Sequence, residues 1–155
     1  MDVLIRKATT DDLLAIQKLS QELFQAELVR DPLLNMNWSM GEEGRKIFYA
    51  RITEENRFCF VAEIDGMIVG YATGSILPTL AWRPVKRLEM ENLIVSEHYR
   101  NQKIGDKLTQ QVFDYAKSLG MERVMVSAYA ANEHAIRFYK RAGFIPDSLQ
   151  LEKVL

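Results

Sequence analysis

The first third of the chain combines one strand pattern with two helical patterns. Residues 3–7 predict a short strand, and the hydroxyl and carboxyl groups of residues 9–12 are typical of a helix start. Apolar residues then recur at helical spacing at Leu13, Ile16, Leu19, Leu23 and Ala26. Because the residue before a proline avoids helical backbone angles, Asp31-Pro32 ends this helix. A loop over 31–41 and a second helix over 42–55 follow.

The middle of the chain alternates apolar and mixed residues, which favours strands. Residues 58–64 and 67–77 flank Asp65-Gly66, a dipeptide that strongly favours a two-residue hairpin turn. After a loop over 78–84, residues 87–95 again read as a strand. This region therefore predicts a hairpin followed by a further strand.

The last third returns to helical spacing. One apolar helix face is formed by Ile104, Leu108, Val112, Tyr115 and Leu119, and Gly120 ends that helix. Residues 123–129 predict a strand, residues 132–142 predict a short helix stopped by Gly143, and a final strand ends the chain. The order β-α-α-β-β-β-α-β-α-β predicts a single domain over residues 1–155, an α/β or α+β fold with helices on a mixed sheet.

The charge and cysteine content limit the kinds of partner and site that the protein can have. The 155 residues carry 20 Lys and Arg against 21 Asp and Glu, a formal net charge of −1. That balance argues against a whole-surface affinity for nucleic acid or an anionic membrane. Cys59 is the single cysteine, which excludes an internal disulfide and a cysteine-based metal cluster, and its apolar neighbours indicate a buried thiol. His98 and His134 have no partner at metal-ligand spacing, so no metal is expected.

Two kinds of segment that the sequence lacks indicate the expected compartment. The first residues lack the basic-then-apolar plan of a secretory leader. No apolar run approaches the ~18 residues that are needed to span a bilayer. We therefore expect a cytoplasmic protein with neither a membrane nor a nucleic acid as its partner.

A polar turn joins the strand at 87–95 to the helix that begins near Ile104. A helix start offers backbone N–H groups without partners and the positive end of the helix dipole, which suits a phosphate group. Gly105 allows a ligand to approach the backbone closely. By itself, however, this pattern is more typical of an ordinary strand-to-helix connection than of a pyrophosphate site.

One motif at this turn and a second motif downstream of it resemble those of a known family. Val95, followed by Arg100-Asn101-Gln102-Lys103-Ile104-Gly105, resembles the acetyl-CoA motif Arg/Gln-x-x-Gly-x-Gly/Ala of the GNAT superfamily of N-acetyltransferases. Residues 132–144 resemble the family stretch Asn-x-x-Ala-x-x-Phe-Tyr-x-x-x-Gly-Phe. Lys103 stands where the first motif glycine is usual, and it is strained if that position requires a positive φ. Together with the element order, the two motifs extend the resemblance over most of the chain.

The resemblance implies a fold and an activity. The fold is a mixed, mostly antiparallel central sheet with helices on both faces. The activity is acetyl transfer from acetyl-CoA to a primary amine of a small molecule or peptide, by direct attack in a ternary complex. An acetyl-CoA-sensing module without turnover is the alternative. A Rossmann-like nucleotide-binding protein is disfavoured, because Lys7-Ala8-Thr9-Thr10 stands where its Gly-rich turn would follow the first strand.

The matched positions also imply site residues. Tyr139 corresponds to the family's general acid for the leaving thiolate, and Glu91, ahead of Glu89, to the carboxylate that accepts the amine proton. The two glutamates lie two positions apart on a strand and therefore share a face, although a solvated or salt-bridged role fits either of them equally well. The expected acetyl-CoA contacts are Leu93, Ile94, Val95, Arg100, Asn101, Gln102, Lys103, Ile104, Gly105, Asp106, Asn132, Phe138 and Tyr139. For Phe138, core packing is the better interpretation.

The acceptor and the assembly stay open at this point. Trp38, Tyr49 and Trp82 lie in regions that vary within the family, and they are candidates to line the acceptor pocket. Core packing explains each of them at least as well. The amine itself, and whether the chain forms a homodimer, do not follow from the sequence.

Overall fold

The computed structural model describes residues 2–155 as one sheet of five strands with four α-helices. The elements are β1 (Leu4–Lys7), α1 (Leu13–Glu27), α2 (Glu42–Thr53), β2 (Arg57–Ile64), β3 (Met67–Ile76), β4 (Arg87–Val95), α3 (Ile104–Ser118), β5 (Arg123–Val126) and α4 (Glu133–Arg141). The predicted order of elements is confirmed as far as α4. Asp65 and Gly66 both have positive φ, as a tight hairpin turn requires. None of these helices is long and apolar enough to cross a membrane.

The predicted final strand is wrong. Residues 142–155 form neither a helix nor a strand, and apolar side chains there are exposed, with Leu149 at 76% and Leu151 at 83%. The alternation of apolar and polar residues in this segment fits a strand. A strand nevertheless exists only where its backbone pairs with a neighbour, and the sheet ends at β5.

The sheet is antiparallel except at one boundary. Its strands lie in the order β1-β2-β3-β4-β5, and only β4 and β5 run parallel. The β4–β5 ladder ends where Met90 lies opposite Val126. Residues 91–95 of β4 continue beyond that point, so their β5-side edge has no partner strand among residues 2–155. The sheet is therefore split open between the two strands.

A β-bulge interrupts β4 at the edge of this opening. Thr73 lies opposite Asn92 while Gly74 lies opposite Met90, so Glu91 is the extra residue. Glycine is required at position 74, because a Cβ there would lie 1.8 Å from the carbonyl oxygen of Glu89. The bulge shifts the inward and outward alternation of β4 by one residue.

The two sheet faces carry separate cores. On one face α3 packs through Ile104, Leu108, Val112 and Ala116. On the other face α1 and α2 pack through Leu13, Ile16, Leu19 and Phe48. Tyr139 of α4 lies against the α3 core. The predicted mixed, mostly antiparallel sheet with helices on both faces is confirmed.

Candidate active site

The start of α3 presents a run of free backbone amides. Lys107 N is the first donor of the helix, with a bond of 3.1 Å to Lys103 O. The N–H groups of residues 101–106 have no protein acceptor in the part of the chain that the structure describes. They lie at the positive end of the helix dipole, which is a favourable place for an anion.

Two residues of this turn adopt left-handed backbone angles. Asn101 has φ 61° and Lys103 has φ 60°. The condition for strain at Lys103 is therefore met, since a residue with a Cβ occupies a conformation that glycine adopts freely. The side chain of Lys103 is exposed.

The side chain of Arg100 contacts both the end of β4 and α1. Its Nε donates a hydrogen bond of 3.1 Å to the carbonyl of Val95, and its Nη2 lies 3.9 Å from Glu22 Oε1. The same Glu22 carboxylate accepts a 2.8 Å bond from the N–H of Glu97. These contacts hold the 101–106 amides at the end of β4.

Gly105 lies where α3 and α4 meet. A Cβ at this position would lie 3.4 Å from the ring of Phe138. Phe138 is half-buried, and its ring centroid is 5.4 Å from that of Tyr139. Phe138 therefore packs directly beside the start of α3, and it belongs to neither of the two cores.

A cavity of about 690 Å³ lies at the opening between β4 and β5. We call it the β4–β5 cavity. The end of α1, the loop after it, β4, the loop before α4 and the last residues of the chain surround it. Among the predicted site residues, those that line it are Glu91, Leu93, Asn132 and Tyr139.

The phenol of Tyr139 is strongly biased toward its protonated form. Burial, and next the negative charge of Glu27, raise its pKa to about 12. Its ring lies edge-on to Phe138 and Phe144, with centroids 5.4 and 5.6 Å away. The packing therefore fixes the ring while its hydroxyl keeps a proton at neutral pH.

Glu91 reaches the cavity wall from the β-bulge. Its Oε1 accepts a hydrogen bond of 2.7 Å from Ser75 Oγ, and its Oε2 is paired with the guanidinium of Arg51. Arg51 also donates a 3.0 Å bond to Asn92 Oδ1. The salt-bridged interpretation of Glu91 is thus observed, and the residue also lines the β4–β5 cavity.

Glu89 lies two positions earlier on β4, opposite Ser75. Burial, and next the charge of Glu91, raise the pKa of its carboxyl group. Leu88 and Met90 belong to the α3 core, so the two glutamates share the other face, as the spacing predicts. Unlike Glu91, Glu89 does not line the β4–β5 cavity.

Asn132 joins α4 to α1 across the opening. Its Oδ1 accepts a 3.1 Å bond from the N–H of Ala135 and so caps α4. Its Nδ2 donates a 3.3 Å bond to Glu27 Oε1. The capping role is observed, and the role toward acetyl-CoA stays a prediction.

Comparison with known proteins identifies the family. The acetyltransferase (GNAT) family model matches residues 16–144. The chain belongs to this family. An N-alpha-acetyltransferase from Sulfurisphaera tokodaii is 32% identical over 107 residues, which cover 63% of this chain and 62% of the relative. The probable N-acetyltransferase camello from Xenopus tropicalis is 36% identical over 90 residues, which cover 58% of this chain and 39% of the relative. The matches therefore span less than two thirds of the length of these relatives.

The GNAT fold is also recognisable in solved structures. The PaiA N-acetyltransferase from Thermoplasma acidophilum, solved in complex with coenzyme A, covers 97% of this chain and 94% of its own. The TM-score is 0.82 at 17% sequence identity. At that identity the likeness concerns the fold alone.

Several residues that line the cavity of this GNAT domain had no signal in the sequence. Glu27 at the end of α1 and Arg30 and Asp31 in the loop after it line the β4–β5 cavity, as does Tyr129 from the loop before α4. Asp31 marks the end of a helix in the sequence, but nothing local connects it to Tyr129. Arg51 likewise reads as an ordinary charged position on α2.

The three aromatic candidates for the acceptor pocket lie elsewhere in this GNAT domain. Trp38 stacks on Phe24 with ring centroids 5.6 Å apart and packs against the α1–α2 core. Tyr49 and Trp82 are 48% and 79% exposed. None of the three lines the β4–β5 cavity. Cys59 is buried as predicted, and burial raises the pKa of its thiol to about 12.

Proposed function

We propose that this protein transfers an acetyl group from acetyl-CoA to a primary amine by direct attack in a ternary complex. The β4–β5 cavity carries this proposal, because it brings Glu91, Asn132 and Tyr139 together at an opening in the sheet. Membership of the acetyltransferase (GNAT) family supports the reaction class. The PaiA structure with coenzyme A supports the choice of donor.

The residues present fit acetyl-CoA. The 101–106 amides offer free donors to the pyrophosphate. The unpaired edge of β4 at Leu93–Val95 offers backbone groups to the two amides of the pantetheine arm. Asn132 lines the β4–β5 cavity. When bound, acetyl-CoA supplies an activated acetyl thioester.

Two side chains supply the proton transfers of the proposed reaction. Glu91 accepts a proton from the amine, directly or through water, so that the neutral nitrogen forms its bond to the acetyl carbon. Tyr139 holds a proton at its hydroxyl, because its pKa is near 12, and donates it to the sulfur as the C–S bond breaks. The nitrogen loses a second proton as the amide forms, and this proton restores the hydroxyl of Tyr139 through water. Glu91 releases its proton to solvent, so each transfer of an acetyl group from the thioester to an ammonium yields one free proton.

The charges of the cavity favour a cationic acceptor. Four acidic residues line it, Glu27, Asp31, Glu91 and Glu152, and Arg30 is the one basic residue that does. Arg51 pairs with Glu91 without lining the cavity, so the excess is two negative charges. Arg30 is itself paired with Glu27 at 3.4 Å. A polyamine, an amino sugar or a peptide amino terminus arrives protonated at neutral pH, and such a site attracts it before its proton is removed.

The test is an amine screen read by the release of free coenzyme A thiol. The panel comprises a polyamine, an aminoglycoside, an amino acid amide and a peptide with a free amino terminus, each with acetyl-CoA. We expect turnover with at least one cationic amine and loss of turnover in Tyr139→Phe. Acetyl-CoA should also raise the melting temperature, and NAD should not. Stabilisation by acetyl-CoA without thiol release for any amine would contradict turnover and support the acetyl-CoA-sensing alternative.

A further inference from the structure

Arg51 extends from α2 to the β-bulge of β4. Its guanidinium pairs with Glu91 Oε2 and donates a 3.0 Å bond to Asn92 Oδ1. The side chain of Arg51 is only 11% exposed. The bulge makes this double contact available, because it places two successive residues of one strand toward the same helix.

Packing alone does not explain why residue 51 is an arginine. Its guanidinium lies over the ring of Phe48, 5.3 Å from the centroid. Its buried Nε has no acceptor in the described part of the chain. Burying a donor without a partner costs free energy, and an apolar side chain would fill the space without that cost. The contacts that distinguish an arginine here are those to Glu91 and Asn92.

We propose that Arg51 is a positioning residue that holds Glu91 in the orientation needed to receive the acceptor amine. This inference rests on the proposed function. With Arg51 at one carboxylate oxygen and Ser75 at the other, Glu91 has a single fixed orientation at the cavity wall. A forked, planar guanidinium can hold two acceptors at once, which the ammonium of a lysine does less well.

The test is a double-mutant cycle on the transfer reaction, after turnover of the unmodified protein has been established. Arg51→Met should lower kcat roughly 10²-fold, about as much as Glu91→Gln, with the KM for acetyl-CoA little changed. Adding Arg51→Met to Glu91→Gln should change kcat by no more than about twofold, since Arg51 acts only through Glu91. Lys46→Met is the matched control, because it removes a charge from an exposed position on the same helix.

Two further variants keep the test decisive. Arg51→Lys should restore part of the activity of Arg51→Met, because it returns the charge without the fork. If Arg51→Met does not fold, Arg51→Lys and Ser75→Ala take its place in the cycle with Glu91→Gln.

The possible outcomes distinguish the positioning role of Arg51 from the proposed function. Equal losses from Arg51 substitutions in both backgrounds, or no loss in either, would overturn the positioning role while leaving the reaction in place. Absence of turnover in the unmodified protein would instead count against the proposed function itself.

Discussion

The hydroxyl of Tyr129 donates a 2.8 Å hydrogen bond to Asp31 Oδ2, which joins the loop before α4 to the loop after α1. The two residues are 98 positions apart in the chain. Both line the β4–β5 cavity, so the bond spans its wall. Burial, and next the hydrogen bond to Asp31, raise the pKa of Tyr129 to about 12, so the bond persists at neutral pH.

Tyr129→Phe removes this bond and keeps the ring. Because both residues line the cavity and neither takes part in the proposed proton transfers, we expect the KM for the amine to change several-fold while kcat stays nearly constant. Steady-state kinetics with varied amine measures both. An altered kcat with an unchanged KM would place Tyr129 in the chemistry and contradict this expectation.

Tyr139→Phe tests the proposed general acid. The substitution keeps the packing against Phe144 and removes only the proton. We expect the rate constant of transfer to fall by roughly 10²-fold or more, with acetyl-CoA affinity little changed. Since the pKa of Tyr139 is raised to about 12, its ionisation should not reduce the activity of the unmodified protein below about pH 10. Full activity of the variant would remove Tyr139 from the mechanism.

Glu91→Gln tests the proposed proton acceptor. Its defect should be largest below the pKa of the acceptor amine, where the ammonium dominates, and raising the pH should recover part of the rate. A full pH–rate profile measures this. Glu89→Gln is the matched control, since Glu89 shares the strand face but lies outside the cavity. A defect of Glu91→Gln that does not depend on pH would make Glu91 an acceptor-binding group.

Lys103→Gly tests the strain at the start of α3. Glycine adopts the positive φ of this position without a steric cost, and we expect the free energy of unfolding to rise by up to about 1 kcal/mol. Lys103→Ala keeps the strain and also removes the ammonium, so it separates the two effects. Equal losses of coenzyme A affinity in both variants would show that the ammonium binds a phosphate.

Gly105→Glu tests the 101–106 amides as the pyrophosphate site. A new Cβ lies 3.4 Å from the Phe138 ring, which is a van der Waals contact that the fold accommodates. The carboxylate should weaken coenzyme A binding by an order of magnitude or more, about 1.4 kcal/mol per tenfold. Calorimetry measures this, and Gly105→Ala controls for the added carbon. Unchanged affinity would place the phosphates elsewhere.

Much of the architecture can be predicted from short-range patterns in the sequence. The helical spacing of α1 and α3, the Asp65-Gly66 turn and the glycine stop at position 120 each depend on neighbours a few residues apart. The same is true of the free amides where α3 begins, since the first turn of any helix lacks internal acceptors. The two motifs that resemble the GNAT family are equally local. These features could therefore be predicted from the chain alone.

The opening of the sheet and the inner surface of the site depend on the tertiary structure. The strand predicted over 123–129 ends at Val126, and this early end creates the cavity. The bulge at Glu91 appears only when β4 is paired with β3. Arg51 meets Glu91 across 40 positions, and Asn132 meets Glu27 across 105. Strand pairing and contacts between distant residues depend on how the elements pack together, and no local pattern records that arrangement.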